Sequence, residues 1–127
     1  MRQLTGDHQG AAASHHQALR LYRDLGDRHG QADVLNSLGE LASRTAGTHQ
    51  ARDQHSQACA IVRDIGVPFE EARALEGIGN SHLRDVNPGE GIAYLEQALV
   101  IYQRIGTPGA RRVQETLSRY GLPLTPM

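Results

Sequence analysis

The residues that could do chemistry in this chain are seven histidines and one cysteine. Histidine serves as a metal ligand or as a general acid or base, and these roles need several polar side chains to converge. His15 and His55 lie 40 residues apart at equivalent positions of an internal repeat, which favours a packing role. His8, His15 and His16 form no i, i+4 pair. We therefore predict no metal site, no catalytic residue and no enzyme activity.

Two short segments contain residues that phosphate and calcium loops use. Gly77 and Gly79 are spaced as in a phosphate loop, but no strand precedes them and the chain has no lysine to complete a Walker-type site. The segment 85–90 is acidic, but it is too short for a calcium loop and lacks the distal glutamate. The first segment is better interpreted as helix packing and the second as a capped turn, so we predict no cofactor.

Cys59 is the only cysteine, which excludes an internal disulfide and favours a reducing compartment. It replaces Leu19 and Leu99 of equivalent segments, so we expect it to be buried. No apolar run approaches the roughly 20 residues of a membrane span. Residues 1–10 are polar, unlike a signal peptide. The sequence thus predicts a cytoplasmic protein without a membrane partner.

The charge of the chain is nearly balanced, with 13 basic and 14 acidic residues. This argues against a direct nucleic-acid partner, because such binding depends on neutralising phosphates. All basic residues are arginine, which we interpret as a high-GC coding bias. The length of 127 residues fits one domain.

An internal repeat defines the helices on which these residues lie. Segments 18–26, 58–66 and 98–106 share one pattern at a period of 40 residues, and each ends in glycine. Such a period is typical of stacked helical repeats. Each copy has apolar residues at helical spacing, followed by a glycine suited to a left-handed helix end.

The apolar spacing predicts six helices and no strand. Their approximate positions are 9–25, 30–44, 49–65, and three further helices opened by the Pro-containing segments 67–68, 87–90 and 107–108. Asp7 and Asp27 are expected N-caps, and Asn87 with Glu90 is expected to form a capping box. Residues 1–5 are expected to be the remnant of a preceding helix. The expected buried positions are Leu35, Leu38, Ile78, Leu95 and Ile105.

The helix pairs resemble tetratricopeptide repeats, in which a first helix bearing Leu-Gly precedes a second helix with regularly spaced alanines. The matching residues are Leu35, Leu38, Gly39 and Ala42 with Ala51, His55 and Ala58, then Leu75, Ile78, Gly79 and His82 with Gly91, Leu95 and Ala98. We expect Gly39 and Gly79 to let the facing Ala51 and Gly91 backbones approach closely.

The resemblance implies an all-α fold, a right-handed superhelical stack of about six antiparallel helices with a truncated first repeat. Its single domain, 1–127, would divide into a half repeat 1–26, repeats 27–66 and 67–106, and a C-terminal helix and tail 107–127. The period exceeds the roughly 34 residues usual in the family. In this respect the chain resembles the C-terminal arrays of bacterial, notably actinobacterial, regulators and, less well, eukaryotic polarity scaffolds.

The resemblance also implies a protein–protein interaction module that binds a protein or peptide partner on a concave wall of first helices. Projection of the repeat places ten residues on this wall: Asp33, Asn36, Glu40, Ser43, Arg73, Glu76, Asn80, Arg84, Arg111 and Gln114. A clamp of two lysines and an asparagine for a terminal carboxylate is missing, which disfavours a chaperone-tail binder. Two alternatives remain, a merely solvated helix surface and a homodimer formed through the open N-terminal end.

Overall fold

The computed structural model describes residues 4–120, with side chains described from Asp7 onward. This part of the chain folds into six α-helices and contains no strand, as predicted. The helices are α1 (Leu4–Leu25), α2 (Arg28–Thr45), α3 (Thr48–Ile65), α4 (Pro68–Arg84), α5 (Pro88–Ile105) and α6 (Gly109–Arg119).

Each helix packs against the next one along the chain, as short turns between helices require. The most extensive contacts join α2 to α3 and α4 to α5. A further contact joins α2 to α4, so the first helices of successive pairs lie side by side and form an inner row. The fold is therefore the predicted all-α solenoid. No helix within residues 4–120 combines the length and apolar character needed to cross a membrane.

Local sequence signals account for most helix ends. Gly66 and Gly106 end α3 and α5 with φ values of 72° and 74°, the left-handed conformation that glycine adopts without a steric penalty. Asp27 caps α2, because its Oδ1 accepts a hydrogen bond from the Gly30 backbone N–H at 2.9 Å. Pro68 and Pro88 occupy the first turns of α4 and α5, as predicted.

Three of the expected helix starts need correction. Because α1 begins at Leu4, Asp7 lies inside its first turn and is not the N-cap. Residues 4 and 5 therefore belong to α1 and not to a preceding helix, while residues 1–3 lie outside the described chain. The Asn87 side chain makes no capping hydrogen bond, so the capping box is not formed. Helix α6 starts after Pro108, at Gly109.

The core runs between the helix pairs and contains four of the five residues predicted to be buried, Leu35, Leu38, Ile78 and Leu95. The prediction for Ile105 was wrong, since its side chain is 38 % exposed. Ile105 is the last residue of α5, directly before the glycine that ends it, so it lies at the edge of the pair. Cys59 is buried, as expected.

The glycine contacts are partly as predicted. A Cβ added at Gly79 would lie 2.9 Å from the Gly91 carbonyl oxygen, which confirms the close approach of α4 and α5. At Gly39 the expected neighbour was Ala51, but an added Cβ would instead lie 2.5 Å from Nε2 of His55. The His55 ring therefore packs against Gly39 where we had expected the backbone of Ala51.

Candidate functional site

An open groove of about 700 Å³ lies along the inner row of helices. Most of its lining comes from α2, α4 and α6, with single residues from α3 and α5. The lining residues are Glu40, Ser43, His55, Phe69, Arg73, Glu76, Gly77, Asn80, Ser81, Leu83, Arg84, Tyr102, Arg112, Thr116, Arg119 and Tyr120. The groove is therefore mixed in character, with charged, amide and aromatic side chains.

Arg73 is the most heavily bonded charge in the groove. Its guanidinium contacts Asp33 at 2.8 Å, Glu40 at 2.9 Å and Glu70 at 3.0 Å, and a further nitrogen donates to the Ser37 hydroxyl. Burial alone would lower the pKa of Arg73, but the hydrogen bonds and the negative charge of these carboxylates outweigh it, so the pKa is raised. Arg73 thus joins α2 to α4, and its hydrogen-bond donors are already engaged.

A buried chain of hydrogen bonds lies beneath this arginine. The Asn36 amide donates to the backbone oxygen of Glu70 at 3.1 Å and to its carboxylate at 3.0 Å. The Asn36 carbonyl oxygen lies 2.8 Å from Nδ1 of His55. Asn36 is fully buried and His55 is 2 % exposed. The chain links α2, α3 and α4 in one polar network below the groove.

His55 is uncharged at neutral pH. Burial, the largest cause, lowers its pKa to about 4, because an imidazolium loses its hydration inside the protein. Arg73 acts in the same direction, whereas the negative charges of Glu40 and Glu76 oppose the shift. Removal from water therefore decides the charge state of this ring.

A second charged cluster lies towards α6. Arg112 makes two hydrogen bonds to the Glu76 carboxylate, at 2.7 and 2.8 Å, and lies 5.7 Å from the centre of the Tyr102 ring. The Tyr102 hydroxyl donates to Glu76 at 2.9 Å. Burial and the charge of Glu76 raise the pKa of Tyr102, so this hydroxyl stays protonated. Both oxygens of Glu76 are thus engaged.

The groove also contains polar groups that are not engaged in this way. Arg84 donates to the Ser43 backbone oxygen, and Arg119 donates to the Thr116 hydroxyl at 3.2 Å. Neither arginine has a carboxylate partner within the described chain. The Asn80 side chain makes no hydrogen bond to any described residue. These three side chains can bond a ligand without breaking an internal contact.

The family model described as tetratricopeptide repeat matches residues 1–64, about half of the chain. The chain belongs to the tetratricopeptide repeat family. The match covers α1, α2 and α3, and the α4 and α5 pair repeats the same packing. Tetratricopeptide repeats generally mediate protein–protein interaction, and the family is a non-enzymatic repeat fold. No curated protein sequence matches this chain.

Of the ten residues projected onto the wall of this tetratricopeptide repeat domain, six line the groove and four do not. Glu40, Ser43, Arg73, Glu76, Asn80 and Arg84 line the groove. Asp33 lies beside it, in contact with Arg73. Asn36 is buried below the groove, and neither Arg111 nor Gln114 belongs to its lining.

The sequence reasoning missed several groove residues on the C-terminal helices. Arg112, Thr116 and Arg119 of α6 line the groove in place of the projected Arg111 and Gln114. A strict period of 40 residues carries Glu76 to Thr116, and both line the groove, so the repeat itself could have identified Thr116. The position of Arg112 depends on its bond to Glu76 of α4, 36 residues away, which local spacing does not contain. Among residues 7–120, no three His, Cys, Asp or Glu side chains are grouped so that they could hold a metal ion.

Proposed function

We propose that the groove on the inner helices binds an extended segment of a partner protein. The observation that supports this proposal most directly is that some polar groups of the groove are held by internal bonds while others are not. Arg73, Glu76 and Arg112 are fixed by internal bonds, whereas Asn80, Arg84 and Arg119 have capacity to spare. Such a groove is preorganised for a ligand, because most of its side chains are already ordered and binding costs little further conformational entropy.

The charges of the groove favour an acidic segment. Four arginines and two glutamates line it, and both glutamates are paired with arginine, Glu40 with Arg73 and Glu76 with Arg112. Arg73 also contacts Asp33 and Glu70, so the positive charge without a carboxylate partner belongs to Arg84 and Arg119. Carboxylates of a partner segment can pair with these guanidinium groups, which present planar sets of donors.

Aromatic side chains supply the apolar part of the proposed contact. Phe69 and Tyr120 line the groove and are 46 % and 47 % exposed. Aromatic groups at such positions provide large contact areas at low cost in conformational entropy. The proposed partner segment therefore combines acidic residues with at least one apolar side chain.

The proposed cellular role is the docking or sensory part of a larger bacterial regulator. The long 40-residue period, the arginine-only basic residues and the resemblance to regulator arrays support this role. A cytoplasmic location is part of the proposal, supported by the single, buried and unpaired Cys59.

Peptide selection tests the groove. Peptides enriched from a displayed random library on the immobilised full chain would be synthesised with a fluorescent label, and their affinities measured by fluorescence polarisation. We expect Asn80→Tyr, which fills the groove, to weaken binding more than tenfold. Gln97→Tyr, at an exposed position of α5, should leave binding unchanged. Equal affinity for the wild type and Asn80→Tyr would place binding outside the groove.

The charge of the partner can be tested with the same peptides. The double reversal Arg84→Glu and Arg119→Glu should weaken binding, and added salt should weaken binding to the wild type. The reversal Arg20→Glu and Arg23→Glu on α1 changes the net charge equally, at exposed positions outside the groove, and serves as the matched control. Equal losses in both double variants would mean that only net charge matters.

A second candidate function, homodimerisation through α1, is supported by an exposed apolar stripe. Leu25 is 77 % exposed, whereas the equivalent Ile65 and Ile105 are each 38 % exposed. Leu21 is 57 % exposed, whereas its equivalents in α3 and α5 are half-buried. The small residues on the same stripe would let a second copy of α1 approach closely, and a two-fold axis would place the same face on both partners.

A further inference from the structure

We infer that the floor of the groove is a pocket for a serine or threonine of the bound segment, whose hydroxyl donates a hydrogen bond to Nε2 of His55. The inference rests on the proposed function, because it names a side chain that the groove selects.

The hydrogen-bond chain below the groove determines which nitrogen of His55 carries the proton. The Asn36 amide nitrogen donates to two oxygens of Glu70, which fixes the orientation of the amide group. The other amide atom of Asn36 is therefore the carbonyl oxygen, which can only accept. Because that oxygen lies 2.8 Å from Nδ1 of His55, Nδ1 must donate the proton. A neutral ring then has an unprotonated Nε2, a hydrogen-bond acceptor.

The charge state of His55 agrees with this assignment. Burial lowers its pKa to about 4, so the ring stays neutral over the physiological range. A cationic ring would carry a proton on Nε2 and could not accept there. The lone pair of Nε2 is thus available at neutral pH.

The surroundings of Nε2 make it an unused acceptor. No described residue donates a hydrogen bond to it, although His55 is only 2 % exposed. Buried polar atoms of native proteins are nearly always paired with protein atoms or with a bound molecule. Across the described chain, no side-chain nitrogen or oxygen that is sealed from solvent lacks a partner. Nε2 has none, so it must be reachable, and the groove that His55 lines is the opening.

Two glycines admit the ring edge of His55 at this point. A Cβ added at Gly39 of α2 would lie 2.5 Å from Nε2, and one added at Gly77 of α4 would be closer still to the same edge of the ring. Neither distance is compatible with a real side chain. The ring edge therefore lies between two helices that both lack a side chain there, and Gly77 itself lines the groove.

The neighbouring charges restrict the donor that suits Nε2. A carboxylate has no proton to donate at neutral pH, and its oxygens would be repelled by the lone pair of Nε2. An ammonium group would need anionic partners, but Glu40 and Glu76 are already paired with Arg73 and Arg112. A hydroxyl donates one hydrogen bond, carries no charge and is small enough for a narrow floor. Serine and threonine carry such a hydroxyl on the shortest side chains, whereas the other uncharged donors, the amides and tyrosine, are larger.

The test compares peptide selection on three forms of the full chain: wild type, Gly77→Ala and Gly10→Ala. Gly77→Ala places a methyl group against the Nε2 edge of the ring, whereas nothing lies within 4 Å of a Cβ added at Gly10. We expect the wild type and Gly10→Ala to enrich serine or threonine over alanine and valine at one fixed position. Gly77→Ala should lose this enrichment. No enrichment in the wild type, or the same enrichment in Gly77→Ala, would overturn the inference.

A second measurement uses only the wild-type chain, so it does not depend on the folding of Gly77→Ala. In the enriched peptide, replacing the selected serine by alanine or by O-methylserine should weaken binding about 2- to 10-fold, the effect of one neutral hydrogen bond. The ¹⁵N resonance of Nε2 should shift with the serine peptide and not with the alanine peptide.

The two proposals fail in distinguishable ways. If serine and alanine peptides bind equally and both lose affinity in Asn80→Tyr, the hydroxyl pocket is wrong and the groove stands. If Asn80→Tyr has no effect on any enriched peptide, the groove fails and the pocket fails with it.

Discussion

At the scale of single residues, His55 makes the stability of the fold depend on pH. Its pKa is about 4 in the folded chain and roughly 6.5 when unfolded, so the unfolded chain binds the proton first as the pH falls. The free energy of unfolding should be unaffected by His55 above pH 6.5. It should fall by about 3 kcal/mol between pH 6.5 and pH 4, because folding must keep the ring neutral.

Urea unfolding at several pH values checks this expectation. The groups that face His55, namely Glu40, Glu76 and Arg73, remain in all variants. His55→Asn should be less stable at pH 7 but should show a much weaker pH dependence above pH 4.5. His49→Asn, at an exposed position of the same helix, should keep the wild-type dependence. An equally steep loss of stability in His55→Asn would exclude His55 as the source.

Part of the environment of His55 was predictable from the sequence. The position of His55 in the repeat indicated a packing residue, and it is buried. Its partners could not be predicted, because Asn36 precedes His55 by 19 residues and bonds to Glu70, which lies 34 residues after Asn36 along the chain. These contacts depend on how closely α2, α3 and α4 pack, and helical periodicity contains no information on that distance. Asn36 was accordingly projected onto the surface.

At the scale of helices, the contact between α4 and α5 depends on missing side chains. A Cβ at Gly91 would lie 2.7 Å from a Leu83 methyl carbon and 2.9 Å from the Gly79 carbonyl oxygen. Because backbone cannot easily move aside, we expect Gly91→Ala to lower the free energy of unfolding by about 1–3 kcal/mol. Chemical denaturation followed by circular dichroism measures this change.

Gly10→Ala is the matched control for that experiment. It makes the same substitution inside α1, where an added Cβ meets nothing within 4 Å. Alanine is the better helix former, so this variant should gain about 0.5–1 kcal/mol. Changes of the same sign in both variants would mean that helix propensity, and not the close approach, controls the effect at Gly91.

The helices themselves were largely predictable from the sequence, because apolar spacing and glycine ends are local signals. The errors fall where local signals are weak. Helix α1 has no strong start signal and begins earlier than Asp7. On helix α6, Arg112 lines the groove where Arg111 was projected. Arg112 is held there by two hydrogen bonds to Glu76 of α4, a contact between distant residues that a repeat projection does not detect.

At the scale of the whole molecule, the first helix of the described chain is unlike its equivalents. Ala11, His15 and Ala18 are half-buried, while Ala51, His55 and Ala58 are buried against α2 and its neighbours. If a second copy covers this face, the chain should sediment as a dimer. Ala11→Arg should then favour the monomer, because it places a bulky charge on the face.

Sedimentation at a series of concentrations decides this point. Ala60→Arg makes the same change at an exposed position of α3 and should leave the dimer intact. A wild-type chain that remains monomeric at high concentration would rule out self-association through α1.

In the proposed function, the inner helices α2, α4 and α6 bind the partner segment. Chemical-shift mapping of the ¹⁵N-labelled full chain with an enriched peptide tests it most directly. We expect the largest shifts at groove residues, namely Glu40, Asn80, Arg84 and Arg112, and no change at the exposed Gln97 and Val100 of α5. Shifts concentrated on α1, or on the exposed faces of α3 and α5, would contradict it.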